Sequence, residues 1–210
     1  MVDVTPELQP VRAASVPEVL TMLRSATGAQ HRALEARLPF MRADFDLDTY
    51  RRLIEAYYGF HLTLEQRVEA FGSGLFKSSE RQKTPALTKD LHALGLSADA
   101  IQALPVCADL PPIDSIAHLL GTMYVMEGAT LGGQVLRRIV ADKLAIDADT
   151  GGEFLDVYGR DTGRLWKAFL KRLVEFDHPA HNLQVVNAAC TTFSCFERWL
   201  ERAGVLHDAR

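Results

Sequence analysis

The segment Met123–Arg138, with the sequence MYVMEGATLGGQVLRR, has helical composition at both ends but carries three glycines in its interior. An interior glycine costs a helix about 1 kcal/mol relative to alanine, so three of them need a structural reason. Gly128 and Gly132 are four residues apart and therefore share one helix face, which Tyr124 continues toward the N-terminus. The pattern predicts a bare strip of main chain that a flat ligand can approach closely. Tight helix packing, or a helix end at Gly132–Gly133, explains the same glycines and stays open at this point.

Helical periodicity runs through most of the chain, and no segment shows the apolar alternation with turn residues that is typical of a sheet. The sequence therefore predicts an all-α fold of seven to nine helices in one compact domain, residues 16–207, after a flexible N-terminal extension, residues 1–15. The predicted helices are 16–38, 50–71, 85–94, 97–104, 115–144 with a bend or pause at Gly132–Gly133, 164–175 and 183–202.

The composition is that of an ordinary globular protein, with 48% apolar and 24% charged residues in a chain of 210. The net charge of −4 argues against nucleic acid or an anionic membrane surface as the main partner. Three cysteines, an odd number, favour reduced thiols and a cytoplasmic location. The first fifteen residues lack the apolar core of a signal peptide, and no apolar run is long enough to span a bilayer.

The first predicted helix carries a histidine on its apolar face. Leu23, Thr27, His31 and Leu34 follow the spacing of three and four residues that defines one side of a helix. A lone histidine on such a stripe is most often a hydrogen-bonded core residue. Glu35, four residues after His31, is placed to hold one ring nitrogen while the other faces inward, which makes a ligand role the second interpretation.

Other charged positions are interpreted as structural. The polar segment 72–85, which includes Arg81 and Lys83, is predicted to be a solvated loop. His61 is predicted to be a partly exposed residue of the second long helix. Glu127 adjoins the glycine strip but points about a third of a turn away from it, so a structural role is predicted for its carboxylate.

Two segments resemble one known family. The segment LRSATGAQHRALEARLPFMRADF resembles the proximal segment of the haem oxygenases, with its axial histidine and a glutamate four residues later. The segment YVMEGATLGGQVL resembles their distal-helix signature. The two motifs lie about a hundred residues apart, as in that family, and the resemblance spans nearly the whole chain from about residue 16. The form of the second motif is similar to that of the bacterial, biliverdin-producing branch.

The resemblance implies a helical domain that holds haem between a proximal and a distal helix. It implies O2- and electron-dependent cleavage of haem to biliverdin, CO and iron, with haem as both substrate and cofactor. His31 would be the axial iron ligand, oriented by Glu35. Gly128, Gly132 and Gly133 would form the distal wall.

The resemblance also implies basic partners for the two haem carboxylates. Arg24 occupies the position of a basic residue that faces them, and Lys167 and Lys171 form a looser match to a basic pair with the same role. Tyr124 would lie at the pocket edge. Some members have an aspartate where this chain has Ala129, so water held by main-chain groups would have to deliver protons. The implied partners are haem, O2, an electron donor (ferredoxin, flavodoxin or a reductase) and a bilin-accepting photoreceptor.

Two other functions remain in view. A haem-binding carrier or sensor would keep the fold and His31 without cleaving the ring, and the replacement at Ala129 leaves that reading open. A helical enzyme acting on a pyrimidine or quinone precursor would need a central cysteine or a pair of carboxylates, and the sequence shows neither pattern.

Overall fold

A computed structural model describes residues 16–208, and within that range the chain has no β-strand, which confirms the all-α prediction. The proposed extension, residues 1–15, lies outside the described residues, and the domain limits 16–207 stay a prediction. Short helical turns join seven α-helices in the described range: α1 (Glu18–Arg37), α2 (Leu47–Phe71), α3 (Thr84–Ala93), α4 (Ala98–Gln102), α5 (Ile116–Leu144), α6 (Thr162–Glu175) and α7 (Pro179–Arg202).

Side-chain caps and a left-handed glycine set the ends of the long helices. The Asp46 side chain accepts a hydrogen bond from the Thr49 amide at 2.8 Å, so α2 begins three residues before its predicted start at residue 50. Gly72 ends α2 in the left-handed conformation, with φ of 61°. Ser115 caps α5 by accepting from the His118 amide at 3.1 Å.

Helix α7 lies between α1 and α5 and packs against both. A Cβ atom on Gly121 of α5 would come within 2.2 Å of the Val185 carbonyl oxygen, so only glycine permits this approach. The hydroxyl of Thr122, the next residue of α5, lies 3.3 Å from that of Thr192 in α7. On the α1 side, Gln30 Nε2 donates to a serine of α7 at 3.0 Å. The shared contact with α7 fixes the relative positions of α1 and α5.

The predicted bend at Gly132–Gly133 is wrong, because α5 is one continuous helix from Ile116 to Leu144. Gly133 has a packing reason instead. A Cβ atom there would lie 2.0 Å from the carbonyl oxygen of Leu155, in the connection before α6. The third glycine therefore lets a loop backbone rest on α5 without interrupting the helix.

This packing predicts opposite effects for the two neighbouring glycines. Gly133→Ala should lower the free energy of unfolding by about 1–3 kcal/mol, because the new methyl group meets the Leu155 backbone. Gly132→Ala should raise it by up to about 1 kcal/mol, because its Cβ meets no atom within 4 Å and alanine is the better helix former. Urea unfolding of both variants measures the two changes, and equal effects would contradict this assignment of Gly133.

The core is continuous, and its fully buried members include Tyr50, Phe40, Phe60 and Phe169. All three cysteines are free, and two of them, Cys107 and Cys195, are buried. In the described part of the chain no helix is both long and apolar enough to cross a membrane.

Candidate functional site

Helix α1 opens to solvent at one position of its otherwise buried stripe. Thr27 and Leu34, on either side of His31, are only 4% and 6% exposed. The His31 side chain between them is 51% exposed. The His31 imidazole therefore reaches solvent on the otherwise packed face of α1.

The orientation of His31 is set by two neighbours. Its Nδ1 atom lies 3.3 Å from a carboxylate oxygen of Glu35, one turn further along α1. Its ring also meets Phe193 of α7 edge-on, with the ring centroids 6.1 Å apart. With a proton on Nδ1 directed to Glu35, the lone pair of Nε2 is available to a metal. The role of Glu35 as a partner that orients an iron ligand stays a prediction.

The glycine strip of α5 is an open surface. No atom lies within 4 Å of a Cβ built on Gly132, and the nearest atom to a Cβ on Gly128 is in the Trp166 ring at 3.8 Å. Leu131 and Val135, on the same side of the helix, are exposed apolar side chains. The main chain between them is therefore accessible over about two turns, next to an apolar surface that has no protein partner in the described residues.

Helices α6 and α7 each contact both of the helices that carry these residues. Adjacent residues of α7 contact the two flanking helices: Thr192 contacts α5 and Phe193 contacts His31 of α1. Helix α6 packs against both α1 and α5. Its Trp166 lies beside Tyr124, with ring centroids 6.0 Å apart, and this places Tyr124 at an edge of the open α5 face.

The three basic residues predicted to bind the haem carboxylates lie on the surfaces of α1 and α6. Arg24 lies on the His31 side of α1, two turns away, and is exposed. Lys167 and Lys171 share one face of α6 and are also exposed. Lys171 lies 4.0 Å from the Glu175 carboxylate, whereas Arg24 and Lys167 form no ion pair within residues 16–208. The charges of Arg24 and Lys167 are thus available to an anionic group.

A buried polar cluster beneath α5 contradicts the prediction that Arg81 and Lys83 are solvated. Glu127 is 1% exposed and forms ion pairs with Arg81 and, at 3.1 Å, with Lys83 Nζ. Both cations are buried as well. Arg81 and Lys83 were predicted to be solvated because their partner, Glu127, is more than forty positions away and nothing near them in sequence indicates it. The one local signal was Glu127 itself, a carboxylate within an apolar helix.

The cluster connects three elements to Glu127, the residue before Gly128. Tyr158 Oη donates to Glu127 at 2.9 Å, and Arg81 Nη2 donates to the Leu165 carbonyl at 3.1 Å. Burial, followed by the nearby Glu127 charge, raises the pKa of Tyr158, so its hydroxyl stays protonated as a donor. The segment 72–83, the connection before α6 and α6 itself are therefore fixed to the centre of α5. This supports the predicted structural role of Glu127.

His61 was predicted to be partly exposed, and this is wrong because the residue is only 6% exposed. It packs between the rings of Phe60 and Phe154, in edge-on contacts with centroids 6.1 Å and 5.4 Å away. Phe154 belongs to the connection before α6, and its ring covers a face of α2 that local sequence marks as partly polar. Burial, and then the charge of Lys83, lower the pKa of His61 to about 3.

The buried His61 predicts loss of stability in mild acid. In the unfolded chain this imidazole gains a proton near pH 6.5, whereas in the folded protein it stays neutral until about pH 3. The unfolded state therefore binds more protons within that window, and stability falls by up to about 1.4 kcal/mol for each pH unit below 6.5. Urea unfolding between pH 7 and pH 4 should show a steeper decline for the native protein than for His61→Phe, and parallel declines would contradict this.

The donor set of the open site suits a cofactor that brings its own metal ligands. No group of three or more His, Cys, Asp or Glu side chains that could hold a metal ion occurs in residues 16–208. A metal at His31 would therefore need further ligands from a bound molecule. An oriented imidazole, an open apolar face with bare main chain, and free cations at the surface fit a flat, mostly apolar metal complex with acidic side groups, as haem is.

Comparison with known proteins gives a family and a fold. The family model described as "Heme oxygenase" matches residues 18–202. A protein named "Heme oxygenase" from Xanthomonas campestris pv. campestris (strain 8004) is 35% identical over 100 residues, which are 45% of this chain and 54% of that protein. That alignment thus spans about half the length of the relative.

Three solved structures share the fold. A heme oxygenase from Leptospira interrogans has a TM-score of 0.71 and 20% identity, over 88% of this chain and 98% of the other. Heme oxygenase-1 from the cyanobacterium Synechocystis sp. PCC6803, in complex with heme, has a TM-score of 0.68 and 16% identity, over 88% of this chain and 91% of the other. The NO- and CO-bound heme oxygenase from Neisseria meningitidis has a TM-score of 0.69 and 19% identity, over 93% of this chain and 96% of the other. At these identities the likeness shows the fold alone. Because the family model covers most of the chain and the fold agrees, this protein belongs to the haem oxygenase family.

Proposed function

We propose that the protein is a haem-degrading monooxygenase that binds haem between α1 and α5 and opens the ring to biliverdin, CO and iron. The observation that carries the proposal is the exposed His31 on a buried stripe, held by Glu35, in a site that also presents the open glycine face of α5. A binding module for a small apolar molecule would not need an oriented imidazole at this position. Family membership supports the same reaction.

The proximal side of the site would hold the iron. In this proposal His31 Nε2 would hold the iron, and the Glu35 carboxylate would accept a hydrogen bond from Nδ1–H and keep the ring correctly turned. When bound, haem supplies the redox chemistry, accepting electrons and activating O2 at its iron while its own ring is the group oxidised. The protein residues therefore bind, orient and shield rather than react covalently.

The distal side would contribute main chain rather than side chains. Gly128 and Gly132 leave room for the macrocycle against the helix backbone, while Gly133 acts through its contact with Leu155. No acid is available from the neighbouring carboxylate, because Glu127 is buried in its own ion pairs on another side of α5. With Ala129 at the next position, protons would be delivered by water that main-chain groups hold.

The surface cations would fix how the haem lies in the site. Arg24, Lys167 and Lys171 are exposed on α1 and α6 and are proposed to bind the two propionates through charge-assisted hydrogen bonds. These contacts would set how the ring is turned within its plane, and that orientation would decide which bridge carbon is oxidised. Tyr124, beside Trp166, is proposed to line the edge of the pocket.

The remaining expectations concern the setting of the reaction. An electron donor (a ferredoxin, a flavodoxin or a reductase) is required by the chemistry. A bilin-accepting photoreceptor as product acceptor and a cytoplasmic location stay predictions from the sequence. The free state of all three cysteines is in keeping with a reducing compartment.

The proposal is tested by incubating the purified protein with haem, a chemical reductant and O2. The expected result is loss of the Soret band with growth of biliverdin absorbance and release of CO. A carrier or sensor with the same fold would instead give a stable oxygen complex and an intact macrocycle. Failure to bind haem at all would contradict both functions and favour a helical enzyme with another substrate.

Gly128→Phe should block ring opening while sparing the fold. The new ring would project into the open face of α5, where its Cβ meets only Trp166 at 3.8 Å, so folding is unaffected but haem is kept away from the main chain. Turnover should fall at least about tenfold, the change produced by 1.4 kcal/mol of barrier. Circular dichroism checks the fold, and Gly163→Phe, at another open helical glycine, is the matched control. Unchanged turnover in Gly128→Phe would contradict the distal assignment.

A further inference from the structure

A cavity lies on the side of α5 that carries the buried ion-pair cluster. It has a volume of about 310 Å³ and opens between the C-terminal half of α2 and the segment 72–83. Neither His31 nor any of the glycines at 128, 132 and 133 lines it. Its apolar wall is formed by Leu64, Val68, Phe76, Leu119, Met123 and Met126.

One buried polar side chain lines this cavity without a partner. His61 is more than nine-tenths buried, yet its imidazole forms no hydrogen bond with any residue of the described range. A buried polar group of this kind normally finds a protein, water or ligand partner. The neutral ring offers one N–H donor and one acceptor nitrogen to whatever occupies the cavity.

The charges around the cavity are balanced, which selects against an ionic ligand. Two basic residues, Arg81 and Lys83, and two acidic residues, Glu65 and Glu69, line it. Arg81 and Lys83 both pair with Glu127, and Lys83 Nζ also donates to the Arg81 carbonyl and to Tyr158. Glu65 accepts from the amide of Lys83 at 2.6 Å. A ligand carboxylate would meet Glu65 and the nearby Glu69, while a ligand cation would meet the two basic side chains.

The wall composition selects for an aromatic ring. Two methionine sulfurs and a phenyl ring make favourable contacts with aromatic faces and edges. The Arg81 guanidinium lies 4.8 Å from the centre of the Phe76 ring and covers one of its faces, which keeps that ring in place beside the cavity. The volume is at the lower end of the range for small-molecule sites, roughly 300–1,000 Å³, and therefore suits one or two fused rings.

We propose that this cavity is a binding site for a neutral one- or two-ring aromatic molecule whose hydroxyl or ring N–H group bonds to His61. The site is separate from the proposed haem site and does not depend on haem chemistry. The ligand ring lies among Phe76, Met123 and Met126, and its polar group supplies the partner that His61 lacks among residues 16–208.

The test uses indole as the probe and calorimetric titration of the full-length, haem-free protein. Saturable binding of one indole is expected, with His61→Phe weakening the dissociation constant about tenfold because one hydrogen bond is lost and the ring volume is kept. Val68→Trp, which fills the cavity from a half-buried position, should abolish binding even if His61→Phe folds poorly. Indole-3-acetate should bind more weakly than indole, because its carboxylate faces Glu65 and Glu69.

His92→Phe, at an exposed histidine of α3, is the matched control and should bind indole as the native protein does. Absence of saturable binding to the native protein would overturn the proposal. So would equal affinities in the native protein and in folded Val68→Trp, because indole would then occupy some other site. Since haem is absent from the experiment, its result is independent of whether the protein degrades haem.

Discussion

His31→Ala should abolish normal axial ligation and reduce haem turnover by more than about 100-fold. Loss of a hydrogen-bond partner behind a metal ligand commonly costs 10–100-fold, and removing the ligand itself should cost more. His31 is the candidate because it alone is open on the buried stripe of α1 and is held by Glu35. The absorption spectrum of the haem complex and the rate of biliverdin formation measure the two effects.

Added imidazole provides a sharper form of this experiment. The substitution leaves a space beside Glu35 that free imidazole can enter, so millimolar imidazole should restore the native spectrum and part of the activity. His92→Ala removes an exposed histidine on α3 and serves as the matched control, with unchanged spectrum and activity expected. A native haem spectrum in His31→Ala without imidazole would show that another residue ligates the iron.

Glu127→Gln should be the most destabilising single change near the site. It leaves Arg81 and Lys83 buried without their counter-charge, and breaking a buried pair on one side typically costs about 3–5 kcal/mol. For a chain of this size the melting temperature should fall by roughly 10 °C. Calorimetry of the haem-free protein measures the shift without any contribution from ligand binding.

Glu175→Gln is the control, because it removes a carboxylate that pairs with Arg172 on the surface. Such exposed pairs contribute at most about 1 kcal/mol, so little change is expected. If Glu127→Gln were as stable as Glu175→Gln, the buried cluster would not hold α5 in place. The distal backbone at Gly128 would then need another explanation for its position.

Local pattern predicted the elements of the fold well. The spacing of Leu23, Thr27 and Leu34 predicted the buried face of α1, and all three are buried. The glycines at 128 and 132 predicted an open strip, and that strip is open in the structure. These features depend on residues within one or two helical turns, so sequence alone contains the required information.

Features that depend on distant partners could not be predicted in this way. Arg81 and Lys83 pair with Glu127, and nothing near them in sequence indicates a buried carboxylate. Gly133 was predicted to mark a bend because no close partner for it could be recognised in the sequence. Its partner, the Leu155 backbone, belongs to an irregular segment with no periodic pattern. His61 was predicted to be partly exposed because Phe154, which packs against it, is distant in sequence.

The most direct test of the central claim is a crystal structure of the protein with haem bound. We predict that His31 Nε2 ligates the iron and that the main chain of Gly128 and Gly132 contacts the opposite face of the ring. Arg24, Lys167 and Lys171 should reach the propionates. A haem bound elsewhere, or an iron ligated by another side chain while His31 points to solvent, would contradict it.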